Sequence, residues 1–198
     1  MSTLPRKKMH AEEGTFDSSK YSEIYSKLAK DRIIFLAEDI TKETGSYLSA
    51  LLLYYDHEND QEDIKIYINS NGGDATALSN IYDVMRMINS PVQTICIGKA
   101  YSAAAILLAA GTKGKRFATK NSDIMIHGLQ VQFPFSENSD KIDIEIDLRM
   151  LETHNTLLMK ILSAHTGKDH LQIAKDCQRD LFMGPRQALD YGIIDQII

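Results

Sequence analysis

Apolar positions along this chain switch repeatedly between two rhythms. Leu48, Leu51, Leu52 and Tyr55 fall at i, i+3, i+4 and i+7, the spacing of an amphipathic helix. Ile64, Ile66 and Ile68 then alternate with Lys65 and Tyr67, which predicts a strand with one buried face. That strand runs into Ser70-Asn71-Gly72-Gly73, a strong turn signal. Leu78, Ile81, Tyr82, Met85 and Ile88 restore the helical spacing up to Asn89-Ser90-Pro91. Residues 92–97 form an apolar, β-branched run stopped by Gly98, and 103–110 are strong helix formers closed by Gly111.

The same rhythms extend to both ends. Residues 21–30 predict a short helix and 33–36 a short strand, while 1–20 are polar and read as a flexible arm or removable extension. Beyond a turn at 113–116, residues 124–126 predict a short strand that ends at His127. Leu129, Val131, Phe133 and Phe135 alternate with polar residues and Pro134, a second extended piece. From about 140 to 165 the helical spacing runs unbroken through Ile142, Ile146, Met150, Leu157 and Ile161 to Gly167. A helix of ~26 residues spans roughly 39 Å, more than one small domain needs, which predicts projection into a partner. Helix 171–176, a loop at 179–184, a helix opened by Pro185 and a strand at 193–198 close the chain. Alternating strands and helices predict an α/β fold with right-handed crossovers. No repeat or linker divides residues 21–198, which read as one domain.

Composition narrows the function classes. With 198 residues, 43% of them hydrophobic, the chain has enough apolar content for a core of its own. A net charge of -5 with both signs interspersed argues against a nucleic-acid partner. Cys96 and Cys177 give neither a disulfide framework nor metal-ligand spacing, which fits a reducing compartment. No apolar run approaches the ~20 residues of a membrane span, and the first residues lack the apolar core of a secretory signal. The expectation is a soluble, cytoplasmic protein.

Chemistry concentrates where predicted strands end, the place at which open α/β folds collect ligands. Ser102 falls between a strand and a helix of small residues, with unpaired backbone N–H groups beside its hydroxyl. A nucleophile in acyl transfer needs that setting because an oxyanion forms next to it. Serine is equally a preferred helix cap, so both readings of Ser102 stand at this point. His127 is a candidate base, against the plain reading of one more core or surface histidine. Asp180 stands out among 27 acidic residues because it follows Arg179 and precedes the apolar Leu181-Phe182-Met183. Gly72-Gly73 offers backbone N–H groups to an oxyanion, or is simply a tight turn.

Several stretches in fixed order carry a resemblance. They are Tyr67-Ile68-Asn69-Ser70-Asn71-Gly72-Gly73, Gly98-Lys99-Ala100-Tyr101-Ser102-Ala103-Ala104-Ala105 and Met125-Ile126-His127. Ala109-Ala110-Gly111-Thr112-Lys113-Gly114-Lys115-Arg116, His165-Thr166-Gly167, Arg179-Asp180-Leu181-Phe182-Met183 and Tyr191-Gly192-Ile193-Ile194-Asp195 complete the set. With these the chain, from about Tyr21 onward, resembles the proteolytic subunit of the Clp protease, a self-compartmentalising serine peptidase. The resemblance implies Ser102 as nucleophile, His127 as general base and Asp180 as the acid that orients it. It further implies an oxyanion hole from the backbone N–H groups of Gly73 and Ala103. The implied fold is the crotonase-like spiral of βαβ units, with a projecting handle at about 129–166 that interlocks two seven-membered rings, built from this chain, a paralogue, or both. The implied substrates are unfolded polypeptides. No cofactor is expected in this chain, because ATP is used by a separate AAA+ unfoldase of ClpX, ClpA or ClpC type. The absence of a G-x-x-x-x-G-K-[ST] loop agrees with that division.

The departures from the family pattern suggest specialisation. Asn71 stands for a proline, Tyr101 for a small residue, and Ala103-Ala104 for Met-Gly. Gly128-Leu129 stands for Gln-Pro, and bulky residues 130–135 for a glycine-rich strand that lies beside bound peptide. Gln178 stands for an acidic residue in a segment that joins the rings. Lys65 and Met87 occupy positions where the family carries aromatics that receive the unfoldase, whereas Tyr67 keeps its ring. These differences favour a subunit slow on its own and active in a mixed barrel. The alternative is a largely structural or regulatory ring subunit that activates a paralogous peptidase.

Overall fold

The computed structural model describes residues 18–129 and 141–198. In chain order these form α1 (Ser18–Lys30), β1 (Ile33–Leu36), α2 (Lys42–Glu58), β2 (Ile64–Ser70), α3 (Ala75–Met87), β3 (Val92–Tyr101) and α4 (Ala103–Ala109). They continue with β4 (Arg116–Ala118), β5 (Asp123–Ile126), α5 (Lys141–Thr166), α6 (His170–Asp176), β6 (Leu181–Met183), α7 (Pro185–Tyr191) and β7 (Gln196–Ile197). The fold is α/β, as the alternation predicts. Helix α1 begins three residues before the predicted 21, and the extended piece expected at 130–135 lies outside the described residues.

Strand β2 shows how patterning becomes architecture. Ile64, Ile66, Ile68 and Ser70 are buried and Lys65 and Tyr67 half-buried, so the alternation sets which face meets the core. The strand pairs in parallel with β1 on one side and β3 on the other. The sheet runs β1-β2-β3-β4-β7, with β5 added beside β3 and β6 beside β5. All pairings are parallel except β5 with β6. Helix α3 begins at Ala75, two residues after Gly73, and the Asp74 carboxylate accepts the Ala77 N–H at 2.7 Å and caps its first turn. Helix α2 lies close against it: a Cβ on Gly45 would stand 2.8 Å from that of Ala77.

Strand β3 does not stop at Gly98 as its pattern predicts, but runs on to Tyr101. Gly98 takes φ +88, a conformation that side chains other than glycine's resist, and the β2–β3 register shifts at the same level. The bend splits one strand between two neighbours. Thr94–Cys96 pairs with β4, and Lys99–Tyr101 with β5. The far half of β3 is thereby aimed at the end of β5, where His127 follows.

Helix α4 is enclosed on every side, with all seven of its residues buried. Ile106, Leu107 and Leu108 each contribute about 1.5–3 kcal/mol by that burial. Helix α5 runs 26 residues, one residue off the predicted start and end. Its C-terminal part buries Leu158, Met159, Ile161 and Leu162, while Ile142, Ile146, Leu148 and Met150 farther up are exposed. Arg116 joins the two helices to the chain end. Its guanidinium is fully buried, donates to the carbonyls of Ala109 and His165, and grips Asp195 through two bonds of 2.8 and 2.6 Å. Among the described residues, no helix is long and apolar enough to cross a membrane.

Candidate active site

Ser102 occupies a sharp turn between β3 and α4, with φ 54 and ψ −123. A non-glycine residue so placed costs on the order of 1–3 kcal/mol and persists only where its surroundings enforce it. Here the Ser102 N–H donates to the Met125 carbonyl at 2.8 Å, and the Ser102 carbonyl accepts from Ala105 and Ile106. The hydroxyl does not cap the helix. Of the two readings open in the sequence, the cap is therefore the one the structure removes.

The Gly72-Gly73 turn lies directly against this one. A Cβ on Gly72 would fall 2.6 Å from the Tyr101 carbonyl oxygen, 2.8 Å from the Ala103 nitrogen and 2.8 Å from the Ser102 Cβ. Residue 72 must be glycine for the two turns to touch. Gly73 sits at φ +146 and forms a parallel bridge with Ile40, built by Ile40 N–H to the Gly72 carbonyl and Asp74 N–H to the Ile40 carbonyl. That bridge uses the groups on either side of Gly73 and not its own N–H. Neither the Gly73 N–H nor the Ala103 N–H donates to a described backbone acceptor, and both residues line the cavity that holds Ser102.

His127 and Asp180 meet through strand pairing. His127 follows the last residue of β5, and Asp180 precedes the first residue of β6. The antiparallel register pairs Ile126 with Leu181, so the next positions out, 127 and 180, face each other. The pattern predicts a loop at 179–184, because a strand of three residues such as β6 is too short to show periodicity. This strand brings the acid to the histidine. His127 Nδ1 stands 3.3 Å from Asp180 Oδ1, close enough for an ion pair but without hydrogen-bond alignment at the buried ring nitrogen. Asp180 remains half exposed, at 46% of its side chain.

Ser102, His127, Gly73 and Ala103 line one cavity of about 310 Å³, with Ile106 and Leu158 supplying apolar wall. Asp180 lies behind His127 and borders a second cavity of about 600 Å³ with Arg179 and Cys177. Thus all five predicted site residues assemble at one place. Among the described residues, no hydrogen bond joins the Ser102 hydroxyl to His127. Catalytic bonds are often open in free enzymes and tighten around substrate. Tyr101 also lines the first cavity, and its ring meets Phe182 edge-on at 5.6 Å and 87°. The register places Met125 between them, so the residue before Ser102 packs onto the strand after Asp180.

Elsewhere, Tyr67 stacks on Phe35 at 5.1 Å and Met87 is exposed, while Lys65 is half-buried. Both cysteines are free and buried, and burial pushes each thiol up to about 11. One site-supporting residue escaped the sequence reading. Asn155 of α5 accepts the Leu129 N–H at 3.1 Å. Its signal was a polar residue at i−3, i−4 and i−7 from the buried Leu158, Met159 and Leu162.

The Clp protease family model matches residues 17–198. The chain is similar to the ATP-dependent Clp protease proteolytic subunit 2 of Frankia casuarinae (strain DSM 45818 / CECT 9043 / HFP020203 / CcI3). The two are 45% identical over 174 residues, which cover 88% of this chain and 78% of that protein.

Proposed function

The chain belongs to the Clp protease family, and from that membership we propose a serine endopeptidase in which Ser102, His127 and Asp180 act as one unit. Ser102 Oγ attacks the scissile carbonyl while His127 Nε2 takes its proton. Asp180 holds the Nδ1–H and steadies the imidazolium that forms. The oxyanion of the tetrahedral intermediate receives the N–H groups of Gly73 and Ala103. Collapse of that intermediate leaves an acyl group on Ser102 and sends the His127 proton to the departing amine. Water, activated by the same histidine, then releases the second peptide. The observation that carries this reading is convergence: a strained serine turn, two unused amides and a histidine share one cavity, with a carboxylate behind the ring. No step calls for a metal or organic cofactor.

The substrates of this reading are unfolded polypeptides, fed by an AAA+ unfoldase that spends the ATP. The chain works in the cytoplasm within two stacked seven-membered rings. Exposed Ile142, Ile146, Leu148 and Met150 on α5 support assembly through that helix, since such apolar surface normally finds a partner. A second reading, a ring subunit that chiefly activates a paralogous peptidase, is favoured by the open Ser102–His127 gap and the misaligned His127–Asp180 contact. A fluorophosphonate probe tests the first reading. Covalent capture at Ser102, in the purified chain or only once a paralogous subunit is added, supports it, whereas a paralogue accelerated by a chain that is never labelled supports the second. A chain that stays unlabelled in both states defeats the assignment of Ser102.

A further inference from the structure

Residues 127–129 carry the histidine yet belong to no strand or helix, so something else must hold them. Both backbone N–H groups that follow the histidine are engaged, each by a different part of the molecule. Gly128 N–H donates to the Cys177 carbonyl at 2.7 Å, three residues before Asp180. Leu129 N–H donates to Asn155 Oδ1 at 3.1 Å, on α5. The same two groups enclose residue 128 itself. A Cβ placed there would stand 3.2 Å from the Cys177 oxygen and 3.5 Å from Asn155 Oδ1. Asn155 lies one turn before Leu158, which lines the Ser102 cavity, so α5 supplies both a wall of the site and the grip on its histidine.

We infer that Asn155 is a positioning residue, which sets the His127 ring over Ser102 by holding the Leu129 amide to α5. The inference rests on the Ser102–His127–Asp180 reading. Its physical basis is the asymmetry of buried polar groups: without an acceptor, a half-buried N–H seeks another partner and takes its segment along. A backbone shift of about 1 Å at a catalytic base lowers turnover by as much as 10²-fold. The side chain touches neither substrate nor the reacting atoms, so its effect falls on kcat and leaves KM in place.

Three full-length proteins in the same oligomeric state test this: wild type, Asn155→Leu and Asn155→Asp. Leucine keeps the branched heavy-atom skeleton and extends the apolar stripe of α5 but removes the acceptor, whereas aspartate restores an acceptor oxygen in the same place. The expected result is fluorophosphonate labelling of Ser102, and kcat on a short fluorogenic peptide, about 10-fold slower in Asn155→Leu with KM unchanged. Asn155→Asp is expected to return to within about 3-fold of wild type. Amide hydrogen exchange supplies a second measurement that needs no variant to fold. Slow exchange at Leu129 in the wild-type protein supports the grip, and exchange at the rate of an unprotected amide overturns it. Equal labelling of wild type and Asn155→Leu overturns the role of Asn155 alone. A wild-type chain that is not labelled at Ser102 in any assembly overturns the parent reading, and this one with it.

Discussion

The two halves of the site are built by opposite means. Around Ser102 the constraints are local and redundant: a strand end, a wholly buried helix and two glycines pressed against the turn. Around His127 and Asp180, among the described residues, they are remote. A three-residue strand, one carbonyl of the Cys177 turn and one side chain of α5 do the work, and the acid stays half exposed. The comparison teaches that a serine held in a strained backbone needs a rigid cradle, whereas the histidine and carboxylate beside it are set by longer-range contacts. Regions with few buried contacts are also where a fold opens most easily.

Substitutions on each side test that contrast. Ser102→Ala has the largest expected effect, a loss of several orders of magnitude in peptide hydrolysis. Because the hydroxyl caps nothing, the melting midpoint changes by little, and a differential scan with a peptidase assay checks both. Undiminished turnover would remove Ser102 from the mechanism. Asp180→Asn is next, with kcat falling up to about 10⁴-fold as His127 is held in the wrong tautomer. The NMR resonance of the His127 Nδ1–H in both proteins supplies the check, and an identical signal would show that the two groups do not interact.

Gly72→Ala attacks the rigid side by crowding, since a Cβ there stands 2.8 Å from both the Ala103 nitrogen and the Ser102 Cβ. The new Cβ meets backbone atoms of residues 101 and 103, so the turn must move. The expectation is roughly 1–3 kcal/mol of lost stability from overpacking, with Ser102 labelling slowed on the order of 10²-fold. Urea melts and labelling rates read these separately. Full activity in a destabilised protein would mean that the two turns are not coupled.

The smallest effect is on acid stability and concerns a different carboxylate. Burial alone raises the pKa of Asp195, but the Arg116 guanidinium and the Gly114 and Arg116 amides outweigh it, so the net shift is downward. A carboxyl depressed on folding contributes stability that is complete above its unfolded pKa and lost as pH falls through its folded one. Urea midpoints should therefore drop below the ordinary carboxylate range, and Asp195→Asn should flatten that drop while lowering the neutral-pH midpoint. An unchanged acid limb in the variant would assign the pH dependence to other carboxylates.

Much of this architecture is legible in the residue pattern. The alternation of Ile64, Ile66 and Ile68 with Lys65 and Tyr67, the helical spacing of 140–165 and the Ala-rich run after Ser102 all describe elements long enough to carry their own periodicity. The chemistry-bearing residue types at strand ends were legible too, because Gly-Gly turns and an isolated serine before a buried helix mark themselves locally. What the pattern missed were β4, β6, the passage of β3 through Gly98 and the short extent of β7, whose predicted 193–198 shrinks to Gln196–Ile197. Strands of two or three residues have no period to read. They exist only because a neighbouring edge offers hydrogen bonds.

That difference decides what each level of description settles for this protein. The sequence by itself determined that a strand delivers Ser102 to the start of a buried helix, since both elements follow from local propensity and hydrophobic period. Only the tertiary structure decided that Asp180, and not another acid, faces His127, because the β5–β6 register joins positions more than fifty residues apart. It also decided that the Ser102 hydroxyl does not cap α4 and that Asn155 reaches Leu129. Backbone strain and remote hydrogen bonds are properties of packing, and no window along the chain contains them.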